Sequence, residues 1–69
     1  MRTGTLENPE EILYTDALPQ VFIEPYEIEF GDKFYWKQDG QVYVHIMQWI
    51  DIDAVRANCC VYLRKDEEV

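Results

Sequence analysis

Phe30-Gly31-Asp32-Lys33-Phe34-Tyr35-Trp36-Lys37-Gln38-Asp39-Gly40-Gln41-Val42-Tyr43-Val44 decides the fold, because it sets an aromatic run between two turn signals. Gly31-Asp32 turns the chain into 33–37, and Gln38-Asp39-Gly40 turns it again into an extended segment from Gln41 to Ile52. Two hairpin registers compete. A two-residue Asp-Gly loop pairs Trp36 with Tyr43 and sets Lys33, Tyr35 and Lys37 beside Val42, Val44 and Ile46. A three-residue loop with Gly40 left-handed pairs Trp36 with Val42 and Phe34 with Val44. The second is preferred, because it collects Phe34, Trp36, Val42, Val44 and Ile46 on one face and leaves both lysines outside.

Upstream, Tyr26, Ile28 and Phe30 alternate with Glu27 and Glu29, which describes a strand with one buried and one solvated face. Pro25 separates this strand from Val21–Glu24, a distinct extended piece or edge strand. Asn8-Pro9-Glu10-Glu11 has the form of a helix start, with Asn8 as cap and Glu11 closing a capping box, and Pro19 limits that helix to about two turns. Downstream, Val55, Ala57, Cys59, Val61 and Leu63 alternate with Arg56, Asn58, Cys60, Tyr62 and Arg64. A helix capped by Asp53 is the competing reading, but five alternating apolar positions favour a strand.

The expected fold is mainly β: a small antiparallel curled sheet or barrel of four or five strands with a short N-terminal helix. Phe30-Gly31-Asp32-Lys33-Phe34-Tyr35-Trp36-Lys37, Asp39-Gly40 and Val42-Tyr43-Val44 together resemble the opening hairpin of SH3-like barrels. The resemblance implies a fold class and no functional residue, since that fold hosts unrelated functions. Residues 1–69 form one domain, with 1–7 and 65–69 expected as flexible termini.

A core this small supplies no more than about 3–5 kcal/mol, so disulfides, a metal or a partner are the usual supplements. Cys59 and Cys60 are neighbours and cannot staple distant segments; on a strand they point to opposite faces, one buried and one half-exposed, and cannot share a metal. Unpaired cysteines, no apolar run of membrane-spanning length and no signal-peptide pattern lead to an expected location in the cytoplasm, or the host cytoplasm if it is phage-encoded.

The net charge of −8 is unevenly placed: residues 1–32 hold one arginine against eight carboxylates, while 33–65 hold five basic residues against three acidic ones. Direct nucleic-acid binding, which needs basic surface, is disfavoured. His45 is the lone histidine and falls on the outer sheet face with Tyr43 and Met47 in the preferred register. No set of acid, base and nucleophile accompanies it, so no enzyme, cofactor or metal site is expected. Asp51-x-Asp53 lacks the further oxygen ligands of a calcium loop and reads as a solvated turn.

Ten aromatic residues exceed what so small a core must hold, and Tyr35, Tyr43 and Trp49 are placed on the outer face with the interface-type residues. Either the N-terminal helix covers that face, or a partner or second copy does. The expected function is that of a small acidic protein-binding module, in the manner of phage or mobile-element inhibitors that block a basic nucleic-acid-binding surface by charge mimicry. Glu24, Glu27, Glu29, Asp32, Tyr35, Tyr43 and Trp49 are the partner-binding residues in this reading. On a strand Glu27 and Glu29 stand roughly 7 Å apart, against one charge per about 3.4 Å on a DNA strand, so other acids must fill the gaps. The alternative is an SH3-like structural or adaptor module, homodimeric through the aromatics, whose acidity serves solubility.

Overall fold

The computed structural model describes residues 4–13 and 19–69. These form, in chain order, β1 (Glu10–Ile12), β2 (Gln20–Phe22), a 3-10 turn (Pro25–Glu27), β3 (Lys33–Gln38), β4 (Gln41–Ile46), α1 (Trp49–Asn58), β5 (Cys60–Tyr62) and β6 (Glu67–Glu68). Two open sheets result. One has the order β1-β3-β4-β6, parallel only between β1 and β3, and the other pairs β2 with β5 antiparallel. The fold is therefore a mixed α/β domain made mostly of strands. The expected barrel does not form among the described residues, because the sheet edges end on different elements and never meet.

The hairpin adopts the two-residue loop: Gln38 faces Gln41 and Trp36 faces Tyr43, which corrects the preferred register by one residue. Asp39 and Gly40 are both left-handed, at φ 52° and 80°. That pair of angles is a type I′ turn, whose twist matches the flanking strands and whose preferred sequences include Asp-Gly. Turn chemistry thus outweighs segregation of the lysines. Phe34 and Trp36 share their face with Tyr43 and His45, while Tyr35 sits opposite Val44, with Lys37 opposite Val42 and Lys33 opposite Ile46. The lysine stems can lie along this aliphatic face with their ammonium groups in water, and Val44 between them is buried.

Helix α1 replaces the expected continuation of the strand to Ile52 and the first four residues of the expected strand through 55–64, of which 60–62 remain as β5. Its start is a capping box in which the Gln48 N–H donates to Asp51 Oδ2 at 2.8 Å. Ile52 and Val55 form its buried stripe and join Val21, Ile23, Val61 and Leu63 of the β2–β5 ribbon in one core with Trp36 and Met47. Ala57 and Cys59, which the alternation had placed inside, are exposed. Cys59 closes the helix in the left-handed conformation at φ 56°.

Two further expectations are overturned. Residues 26–30 are not a strand: Pro25 opens a 3-10 turn, for which its fixed φ is suited, leaving Ile28 buried and Tyr26 and Phe30 exposed. The expected N-terminal helix gives way over Glu10–Ile12 to β1, which lies beside β3 with Glu10 level with Trp36; residues 14–18 of that helix lie outside the described residues. Just before β1, the Gly4 carbonyl accepts from the Tyr35 N–H at 2.8 Å, and a side chain at Gly4 would strike the Phe34 ring.

The C-terminal segment closes the far edge of β4. The Asp66 N–H donates to the Val44 carbonyl at 2.9 Å, and Tyr43 and Val44 pair with Glu68 and Glu67. At Ile46 side chains continue what a strand would do: its N–H donates to Asp66 Oδ2 at 2.9 Å, and its carbonyl accepts from the Arg64 guanidinium at 3.1 Å.

Candidate functional site

Where the 24–32 segment meets the start of α1, two aromatic rings lie at the surface. Phe30 and Trp49 stack with ring centroids 4.8 Å apart and an interplanar angle of 21°. They stay 50% and 60% exposed, beside Ile50 at 73%. The local chain explains the arrangement. Asp32 Oδ2 accepts from the Glu29 N–H at 2.9 Å and the Asp32 N–H donates to the Glu29 carbonyl at 3.1 Å, forming a tight turn that projects Phe30. The Gly31 N–H and the Asp32 carbonyl bond to the backbone of Met47, which fixes this turn two residues from Trp49. Glu24, Glu27 and Glu29 are exposed in the same segment, and Asp53 is exposed one turn along α1 from Trp49.

The expected partner-binding residues are therefore partly gathered and partly separated. Trp49 forms half of the stack and Glu29 directly precedes Phe30 in the chain, while Glu24 caps the 3-10 turn before it and Glu27 is the last residue of that turn. Asp32 spends its carboxylate on the turn. Tyr35 and Tyr43 lie on opposite faces of the sheet and not together on an outer one. Tyr43 packs on Trp36, centroid to centroid 4.9 Å, and is covered by the Lys65 ammonium 4.4 Å above its ring. The sequence pattern does not mark Phe30, Ile50 or Asp53 for this surface: it puts Phe30 on a strand face and Asp53 in a turn.

His45 and Met47, expected outside, are buried, and His45 is 0% exposed. The one-residue register change accounts for His45. Around it lies an ionic cluster that the sequence did not reveal. The Arg64 N–H donates to His45 Nδ1 at 2.7 Å, so the ring carries its proton on Nε2, which faces Asp51 Oδ2 at 3.3 Å without a well-aligned hydrogen bond. The Arg64 guanidinium grips both Asp51 oxygens, at 2.9 and 3.0 Å, and reaches Asp66 at 3.3 Å. Burial holds the His45 pKa below its ordinary value, and the nearby Arg64 charge adds to this against the pull of Asp51 and Asp66. For Asp51 burial pushes upward, but the hydrogen bonds from Arg64 and Gln48 and the charges of His45 and Arg64 outweigh it and hold the carboxyl low. The hydrogen bond to Asp51 raises Arg64, helped by Asp66 and opposed by burial. Asp51 and Asp53 do not share a solvated turn: Asp51 points inward and Asp53 outward.

The cluster ties α1, β4 and the C-terminal segment together, and its sealed imidazole cannot meet a molecule from solvent. Neither cysteine is buried: Cys59 is exposed at the helix end, and Cys60 is half-buried with Sγ 3.0 Å from Gln20 Nε2. Among the described residues no three of His, Cys, Asp and Glu gather as a metal-binding group, and no helix is long and apolar enough to cross a membrane.

No family profile, curated protein or solved structure matches this chain. The surface around Phe30 and Trp49 is thus the main guide to function.

Proposed function

We propose that this chain is a small acidic protein-binding module that engages a basic surface of another protein. One observation carries the reading: an exposed aromatic stack, Phe30 on Trp49, joins the start of α1 to the segment that holds the exposed Glu24, Glu27 and Glu29. Apolar aromatic area supplies binding energy once desolvated, and surrounding charge of one sign selects and steers a partner of the other. A basic nucleic-acid-binding surface is one target of this kind, and occupying it would block the nucleic acid. The 3-10 turn removes the regular strand spacing of Glu27 and Glu29, so mimicry here rests on a compact acidic patch and not on a row of charges.

Calorimetric titration of the full chain with a lysine-rich peptide tests the reading. Binding should weaken strongly from about 0.1 M to about 1 M salt, as the screening length falls from about 10 Å to about 3 Å. Replacing Glu24, Glu27 and Glu29 with glutamine should weaken it at low salt while leaving the thermal midpoint close to that of the parent. Binding that is insensitive to both changes would remove the acidic-module reading.

A second reading, an adaptor or homodimer, is favoured by a separate feature. Phe22 and Tyr62 are 83% and 56% exposed on one face of the β2–β5 ribbon, which lies next to the carboxylate segment along the chain. Sedimentation velocity separates the two, since dimerisation abolished by Phe22→Ser with peptide binding intact would support the second.

A further inference from the structure

We propose that the open face of Trp49, backed by Phe30 and flanked by Glu29 and Asp53, receives an arginine side chain of the partner. The proposal rests on the basic-partner reading above and gives it a site. Phe30 occupies one face of the indole, yet Trp49 remains 60% exposed, so the opposite face and edge are open to solvent. The stack holds the indole in place before anything binds, which lowers the ordering cost of a contact.

A cation over an aromatic face is attracted by the ring quadrupole, and indole is the strongest acceptor among the side chains. Tyr43 under Lys65 shows the same contact made internally. Among the described residues no internal cation lies over Trp49: the one cation-π contact is at Tyr43, Arg56 is the only basic residue of α1, and neither Asp53 nor Glu29 forms an ion pair. Asp53 stands four residues after Trp49, on the same side of the helix at about 5–6 Å between Cβ atoms. Glu29 directly precedes Phe30. A guanidinium can stack flat on the indole while its edge donates to a carboxylate, whereas an ammonium offers a point charge without a stacking plane. The geometry therefore selects arginine over lysine. A second copy of this chain is a poor occupant, since each copy carries a net charge of −8.

The test uses the full chain with two synthetic peptides of equal length and charge, an arginine-glycine repeat and a lysine-glycine repeat, followed by calorimetry and tryptophan fluorescence. The arginine peptide should bind about 2–5-fold more tightly and should perturb the exposed Trp49, while the buried Trp36 serves as the unresponsive reference. Trp49→Ala should bring both peptides to the same affinity, and Asp53→Asn should reduce the preference without touching the aromatic ring, which keeps the test sound even if Trp49→Ala folds poorly. Equal affinities in the parent chain, with the glutamine replacements still weakening both peptides, would overturn the arginine site and leave the basic-partner reading. No binding of either peptide would remove both. A dimer that Trp49→Ala converts to monomer would also overturn the site, by assigning the patch to a second copy.

Discussion

Asp51→Ala should be the most damaging single change outside the apolar core. The carboxylate accepts the Gln48 N–H that caps α1, and losing a cap costs about 1 kcal/mol. It also accepts two hydrogen bonds from Arg64. Charge-assisted bonds contribute about 1.5–3 kcal/mol each when buried. The Arg64 side chain is 36% exposed, however, and can turn to water and to Asp66, so solvent screening reduces the pair to about 1–2 kcal/mol in all. The sum, about 2–3 kcal/mol, is a large share of the roughly 3–5 kcal/mol that a core of this size supplies. With a urea slope of about 1 kcal/mol/M, the midpoint should fall by about 2–3 M, followed by Trp36 fluorescence and far-UV circular dichroism. Asp53→Ala is the control: this exposed carboxylate should change stability by less than about 0.5 kcal/mol. Equal effects of the two replacements would refute the capping and clamping geometry and restore the solvated turn.

Acid should destabilise the fold in two steps. His45 has a lowered folded pKa, so the unfolded chain binds the extra proton first, and stability should begin to fall as pH drops through the ordinary value of 6.5; thermal midpoints against pH should show this step, and His45→Gln should lack it. Asp51, also lowered, should contribute stability that is present above its ordinary value of 3.8 and lost as pH falls through its folded pKa. Cys59→Gly should raise stability by up to about 1 kcal/mol, because glycine adopts the left-handed helix end without strain; a loss in chemical denaturation would instead favour a strand at that position. Gly40→Ala should cost about 1 kcal/mol by the same measurement, whereas Asp39→Asn, equally suited to a type I′ turn, should leave stability nearly unchanged.

The predominance of strands, the 33–46 hairpin, the positive φ of Gly40 and the burial of Val61 and Leu63 were legible from alternation and turn residues. The register was not, because segregating the lysines and satisfying the Asp-Gly turn pointed to opposite choices, and one residue reverses both faces. Alternation over 55–63 imitated a strand although Ala57 and Cys59 face solvent. A stronger signal was available in Gln48-x-x-Asp51 with Ile52 and Val55 one turn apart, the pattern of a capped helix. Pro25 likewise marked the turn that replaces the expected strand. The Asp51–Arg64 clamp was beyond sequence reasoning, since a helix end and a strand separate its partners along the chain. The candidate surface was half legible: Trp49 and the nearby carboxylates were identified, but for a shared sheet face that does not exist. Phe30 joins them only because the Glu29–Asp32 turn swings it outward.

The two sheets are interleaved along the chain: β1, β3, β4 and β6 build one, while β2 and β5 build the other. No contiguous half of the polypeptide contains a complete sheet. During synthesis the emerging chain can form the 33–46 hairpin early, since its contacts are local. The ribbon must wait for residues 60–62, and the Arg64 clamp and the edge of β4 must wait for residues 64–68. With elongation at about 5–20 residues per second, several seconds pass in which the ribosome holds a chain that exposes its apolar residues and cannot yet bury them. Closure of both sheets then waits until residues 60–68 have emerged, and a chain cut before Arg64 should be a product that proteases clear.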